Sequence, residues 1–255
     1  MELLYKGYVE TNGKSAIDKF KNREKLKTLE EAKKLKSYGG VLKSDVILID
    51  IDNEEQSEKL MNLVEDQQLN CKVYQTARGR HFLFKNNGVT KNYTNVTLAI
   101  GIKADIKLGS RNSYQVLKKD GAERFVEWDS ETYQQLPKYL TPIKTSIDFS
   151  NLNEGDGRNS NLFKYILTLQ GYNFEKEEVR ETIKLINKFV VSEPLDDNEI
   201  DVILRDDAFN KEVFVQDNKF DYDKFSRFLI SEHHIKRING NLHIYKDGIY
   251  QFGNL

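Results

Sequence analysis

The run Val46-Ile47-Leu48-Ile49 constrains this chain more than any other segment. It has four consecutive apolar residues, three of them β-branched, and is too short to be a helix of its own. Such a run reads as a strand buried on both faces, in the interior of a sheet. It ends in Asp50-Ile51-Asp52. Residues i and i+2 of a strand point to the same side, so the two carboxylates project together from the strand end. Carboxylates held close repel one another unless a cation neutralises them, and hard oxygen donors suit Mg²⁺ or Mn²⁺. Alone, the pair fits equally well a solvated strand terminus with a turn at Asn53. Asp221-Tyr222-Asp223 repeats the spacing at what reads as a helix start.

Further elements can be placed around this strand. Thr28 followed by Glu31 predicts a capped helix that Gly39-Gly40 should end, with its lysines on a solvated face. Glu54 to Gln68 predicts a helix with Leu60, Met61, Leu63 and Val64 on its apolar stripe. Strands are expected at Leu3–Val9, Cys71–Gln75, His81–Phe84, Val96–Ile100, Ala104–Leu108, Tyr114–Leu117 and Arg124–Trp128, with Asp120-Gly121 as a turn. The class is therefore α+β over residues 1–150. The stretch SNLNEGDGRNSN (150–161) reads as a linker. A small all-helical unit follows over 151–210: Leu162, Tyr165, Ile166 and Leu169 repeat with helical spacing, as do Val179, Ile183, Ile186 and Val190. Asp196 with Glu199 suggests a capping box for a third helix ending near Arg205. Residues 211–255 read as a partial segment, a helix over Tyr222–Ile230 and a hairpin over Ile235–Gln251 turning at Asn239-Gly240 and Asp247-Gly248.

Charge weakens the reading of a simple nucleic-acid-binding module. With 39 basic and 40 acidic residues the net charge is −1, so nucleic acid would have to be held by local basic patches. Cys71 is the one cysteine, which excludes an intramolecular disulfide and a cysteine-rich zinc site. The N-terminal segment lacks a signal peptide's apolar core and no apolar run approaches a membrane span, so a soluble cytoplasmic protein, in a bacterial host cell, is expected.

Two further segments bear on the aspartate pair. In TARGRHFLF (76–84), Arg78, Gly79, Arg80 and His81 converge at a turn between strands; glycine permits close backbone approach, and guanidinium and imidazole groups suit phosphate oxygens. An ordinary charged hairpin turn with a partnered histidine would read the same. In ADIKLGSRNSYQVL (104–117), Asp105 alternates with apolar residues, and Lys107 follows on the same face. Together these make three carboxylates beside a basic cradle, the inventory that two-metal phosphoryl transfer requires. His233, His234, His243 and Trp128 have plain structural readings.

In this order, DID (50–52), TARGRHFLF and ADIKLGSRNSYQVL resemble the motifs of the primase-polymerases of the archaeo-eukaryotic primase superfamily, in particular those of phages and mobile elements. The resemblance covers about residues 1–145. GRNSNLFKYILTLQG (157–171) and EPLDDNEIDVIL (193–204) resemble the helical module that often follows such domains. The segment FDYDKFSRFLISEHHIKRINGNLHIYKDGIY (220–250) resembles the opening of the domain preceding a superfamily 3 helicase. This implies a sheet related to the RNA-recognition fold. It implies Mg²⁺ or Mn²⁺ on Asp50, Asp52 and Asp105, with His81, Arg78 and Arg80 on the incoming triphosphate and Lys107 assisting. It implies NTP or dNTP as substrate, single-stranded template and primer–template DNA as partners, and a helicase domain beyond the C-terminus. The stretch GSRNSYQVLKKDG (109–121) departs from the glycine-rich, proline-containing stretch common in that family, leaving the hold on the nucleotide's sugar and base unspecified. The rival classes are a metal-dependent nuclease, which needs no triphosphate cradle, and a non-catalytic RNA-recognition-type binding module, which would expose aromatics on its sheet.

Overall fold

The computed structural model describes residues 4–17, 20, 25–152, 157–210, 214–216 and 219–252. In chain order the elements are β1 (Tyr5–Asn12), β2 (Ser15–Ala16), α1 (Leu29–Lys33), β3 (Tyr38–Leu42), β4 (Val46–Ile51), α2 (Glu54–Asp66), β5 (Lys72–Gln75), β6 (Arg80–Lys85), β7 (Tyr93–Leu98), β8 (Lys103–Leu108), β9 (Tyr114–Lys119), β10 (Ala122–Glu123), β11 (Val126–Asp129) and β12 (Pro142–Ile143). Then follow α3 (Arg158–Gln170), α4 (Lys176–Phe189), α5 (Asp197–Ile203), β13 (Val215–Gln216), β14 (Lys219–Phe220), α6 (Tyr222–His233), β15 (Ile235–Ile238), β16 (Asn241–Lys246) and β17 (Ile249–Phe252). The fold is α+β, with antiparallel sheets.

The largest sheet has the order β11-β5-β6-β4-β8-β7-β12, with β4 at its centre, where an unbroken apolar run belongs. A second sheet, β10-β9-β3-β1-β2, shares a small core with it: Leu4, Tyr5, Tyr8, Tyr38 and Leu42 from one side meet Val46, Leu48, Tyr74 and Leu83 from the other. The opposite face of the large sheet, carrying Ile47, Ile49, Ile51, Phe82 and Phe84, joins the main core. That core runs without a break through α2 into α3 and α4, taking in Leu60, Leu162, Tyr165 and Ile186. Phe149 and Tyr165 meet edge to face at 4.8 Å, and the Tyr165 hydroxyl donates to the Ala99 carbonyl at 2.8 Å.

Several sequence expectations need correction. The Thr28 capping box forms, but α1 stops at the C-cap Lys34, well before Gly39-Gly40. Those glycines lie within β3 because the sheet packs tightly there; a Cβ on Gly40 would come within 2.5 Å of the Tyr5 ring. The strand expected over Arg124–Trp128 begins two residues later, as β11 from Val126, with Arg124 and Phe125 in the connection from β10. Part of the expected linker is helical: α3 begins at Arg158 from a left-handed Gly157, while 153–156 lie outside the described residues, as does Leu3. Asp196 caps α5 through the Glu199 N–H, but Glu199 accepts from Asn159 Nδ2 at 3.2 Å. The C-terminal hairpin is a three-stranded meander, β15-β16-β17, turning at the expected Asn239-Gly240 and Asp247-Gly248.

Candidate active site

Strand register assembles the site. Asp50 of β4 is directly opposite His81 of β6 and Asp105 of β8, and His81 is opposite Tyr74 of β5. Directly paired residues share a face, so Tyr74, His81, Asp50 and Asp105 form one row across four neighbouring strands. Lys107, two residues beyond Asp105, falls on the same face beside the row. Asp52 follows the end of β4, and its exposed carboxylate lies 3.4 Å from Arg78.

The Arg78 turn is seated by glycine. Thr76 N–H donates to the Gly79 carbonyl at 2.8 Å, closing the turn. A Cβ on Gly79 would stand 1.9 Å from the Ile51 carbonyl oxygen. Only a residue without a side chain lets this turn lie against the DID backbone. The close approach is thus made between two backbones of this chain, and it carries Arg78 to Asp52.

Asp50 and His81 of this row border a cleft of about 660 Å³ whose far wall comes from the second sheet and the loop before β9. Around it stand Asp50, Asp52, His81 and Lys107, with Arg78, Arg111, Lys119 and Lys14 as further cations and Gln115 and Arg124 on the far wall. This gathers a local basic patch in a chain whose net charge is close to zero. A smaller adjoining recess of about 320 Å³ is bordered by all three aspartates together with Asn95 and Lys103.

Asp50 is the electrostatic centre. Burial pushes its carboxyl up, but His81 and Lys107 outweigh burial and hold it below the usual carboxylate range. Lys107 Nζ lies 2.5 Å from Oδ2, and His81 Nε2 lies 3.1 Å from Oδ1, too far out of line for a well-formed hydrogen bond. Burial lowers the His81 pKa, assisted by Arg124 and Lys107 and opposed by Asp50, so the imidazole is neutral at pH 7. The mutual repulsion expected of Asp50 and Asp52 is therefore relieved at Asp50 by Lys107, a cation of the chain itself. Asp105 is engaged too: a bulge in β7 turns the Asn95 N–H onto its Oδ1 at 2.8 Å.

Buried polar atoms without a partner concentrate here. Of the six among the described residues, Asp50 Oδ1, His81 Nδ1, Gln115 Nε2 and Arg124 Nη1 belong to residues lining this one cleft. Native folds pair nearly all such atoms, so four at one place mark a surface shaped for something other than the chain.

The donor set suits a hard divalent cation: oxygen ligands bordering one recess, and an Asp50 oxygen without a hydrogen-bond partner. As placed, the three aspartates are not drawn together. Among the described residues no group of three His, Cys, Asp or Glu stands close enough to hold a metal ion.

Arg80 does not belong with the others. It alternates with His81, so its guanidinium leaves from the opposite face of β6. There it donates to both carboxylate oxygens of Glu127 at 2.7 and 2.8 Å and to Ser57 Oγ at 3.1 Å, with Glu58 at 2.6 Å. The structure does not bring it to the cleft; it ties β6 to α2 and β11. Arg124 and Gln115 escaped the sequence reading because no local pattern marks them. Arg124 passes for a strand residue, and both reach the cleft only because β9 pairs with β3 across the other sheet.

Residues 151–205 match the family model described as Primase C terminal 1 (PriCT-1), which spans α3 to α5. This part of the chain is thus a primase-associated helical domain, and such a domain implies work on DNA. No curated protein matches the chain, and no solved structure matches it. Among the described residues no helix is long and apolar enough to cross a membrane.

Proposed function

We propose that the chain is a template-directed nucleotidyltransferase of the primase-polymerase type, with its reaction centre on the Asp50–His81–Asp105 row. The observation that supports this most is the register itself, which sets two acids and a histidine side by side where a basic cleft meets a smaller recess, in a chain that carries a primase C-terminal domain. The reaction joins a primer 3′ oxygen to the α-phosphorus of a nucleoside triphosphate as the bond to the β-phosphate breaks and pyrophosphate leaves. Asp50, Asp52 and Asp105 would hold Mg²⁺ or Mn²⁺, which supplies charge neutralisation at the triphosphate. To do so Asp50 gives up Lys107 and Asp105 gives up the Asn95 N–H. Lys107, freed, is within reach of phosphate oxygens, where it acts as a point charge. His81 is buried and neutral with Nε2 toward Asp50; once Asp50 is taken up by the metal, its one N–H would be free to donate to a triphosphate oxygen. Arg78 turns from Asp52 to the triphosphate. Lys14, Arg111 and Lys119 line the cleft mouth, where the template's phosphates would be neutralised. Arg80 has no part in nucleotide binding.

The test is strand synthesis by the full chain on single-stranded DNA, with and without a primer, in Mn²⁺ and with NTP and dNTP supplied separately. Template-dependent products that vanish with chelator support the reading. Degradation of the DNA without added nucleotides would make the cleft a nuclease. Binding of DNA that tolerates chelator and yields no product would make it a binding module.

A further inference from the structure

Gln115 is the most deeply buried polar residue of the cleft, 1% exposed, and it stands on the wall facing the aspartate row. Its amide is fixed: Oε1 accepts from the Tyr5 hydroxyl at 2.9 Å, and that hydroxyl is 3.4 Å from the hydroxyl of Tyr74, the neighbour of His81 in the row. With Oε1 engaged, Nε2 is left as the free end, buried in a residue that lines the cleft and without a partner. A rigid, dry, uncharged donor of this kind discriminates sharply, because any ligand that fails to meet it leaves it unpaired.

The charges in the cleft divide the labour. Lys107, Arg78 and Arg124 are the cations suited to phosphate, and Arg124 is itself drawn toward Asp50 and Asp52. An uncharged amide among them matches an uncharged acceptor. A template-directed enzyme must accept four bases whose hydrogen-bonding edges differ. A donor locked in one position can be satisfied in every cycle only by an acceptor all four share. With the phosphates matched to the cations, these are the sugar hydroxyls and the base N3 or O2, and the dideoxynucleotide separates the two. We propose that Gln115 reads a sugar hydroxyl of the incoming nucleoside triphosphate, with Tyr5 as the positioning residue that aims its amide. This rests on the nucleotidyltransferase reading above and assigns a specificity element to the 109–121 stretch.

The experiment is equilibrium binding of ribo-, 2′-deoxyribo- and 2′,3′-dideoxyribonucleoside triphosphates to the full chain, in wild type, Gln115→Met and Tyr5→Phe. Melting curves identify which variants fold like wild type. Gln115→Met should weaken the nucleotide bearing the hydroxyl that is read by about tenfold. It should leave the dideoxynucleotide unchanged. Loss with ribonucleotides alone identifies the 2′ hydroxyl, and equal loss with ribo- and deoxyribonucleotides identifies the 3′ hydroxyl. Tyr5→Phe keeps the amide but releases it, and should show the same selectivity in weaker form. That variant carries the test if Gln115→Met does not fold. The proposal is overturned if folded variants bind all three nucleotides as wild type does, or lose the dideoxynucleotide equally. If wild type binds no triphosphate at all, the nucleotidyltransferase reading falls and this proposal falls with it.

Discussion

The two faces of the large sheet are made from alternate residues of the same strands and obey opposite rules. On one face Ile47, Ile49, Phe82, Phe84 and Ile106 are all 0% exposed and belong to the main core. On the other, where Val46, Leu48 and Leu83 pack against the second sheet, Asp50, His81 and Lys107 line a cleft, Asp105 borders the adjoining recess, and buried atoms of Asp50 and His81 are left unpaired. The first arrangement maximises stability through apolar burial. The second gives some of it up, since each unmet buried polar group costs about 1–3 kcal/mol. β6 shows the contrast at single-residue resolution: Arg80, with every nearby acid satisfied, serves the fold, and adjacent His81, with one nitrogen free, serves the site.

Removing the cover of the apolar face should have the largest effect. A chain ending near residue 151 would lose α3 and α4 and uncover Phe149, Ala99 and the core around them. It should unfold or aggregate, and primer extension should be lost with priming. Proteolysis and calorimetry check this, and a stable short fragment that still extends primers would mean the two units do not depend on one another. Within the intact chain, Phe82→Ala should cost about 3–5 kcal/mol in denaturant unfolding. Incorporation per folded molecule should stay nearly normal.

The smallest expected effect is a pH dependence of stability. Burial holds His81 below its ordinary pKa, so the unfolded chain binds that proton more strongly. Stability should therefore fall as pH drops through about 6.5. Asp50 has a linkage of the same sign in a lower window: its folded carboxyl is below the unfolded value, so its contribution persists until pH falls below about 4 and is lost from there down. His81→Gln should flatten the decline between about pH 7 and pH 5 and leave the acid limb in place. An unchanged slope in that variant would assign the decline to other groups.

How much of this could be read from sequence follows from range. The β4 run, the α2 stripe, the Thr28 cap and the turns at Asp120-Gly121 and Asn239-Gly240 are local and declare themselves within a few residues. Alternation placed Asp50 with Asp52, and Asp105 with Lys107, on common faces. The same alternation separates Arg80 from His81; a turn reading that pooled all its basic residues lost that distinction. The role of Gly39-Gly40 depends on Tyr5 across the sheet, and the positions of Gln115 and Arg124 depend on β9 pairing with β3. No window of neighbouring residues contains those contacts. The continuous core between the sheet and the helical domain is likewise a long-range fact.

The central claim is that chemistry belongs to one face and architecture to the other, and it is tested most directly by measuring Asp50→Asn and Arg80→Met side by side. Each variant is scored for folding free energy and for Mn²⁺-dependent nucleotide incorporation per folded molecule. Asp50→Asn is isosteric and should stay folded while incorporation falls by at least about a thousandfold, the loss expected when a group central to the reaction is removed. Arg80→Met leaves Glu127 and Glu58 without their cation and should lose about 3–5 kcal/mol of stability. The molecules that remain folded should incorporate nucleotides at close to the wild-type rate. The reverse pattern, an active Asp50→Asn or a stable Arg80→Met that cannot use nucleotides, would contradict the account.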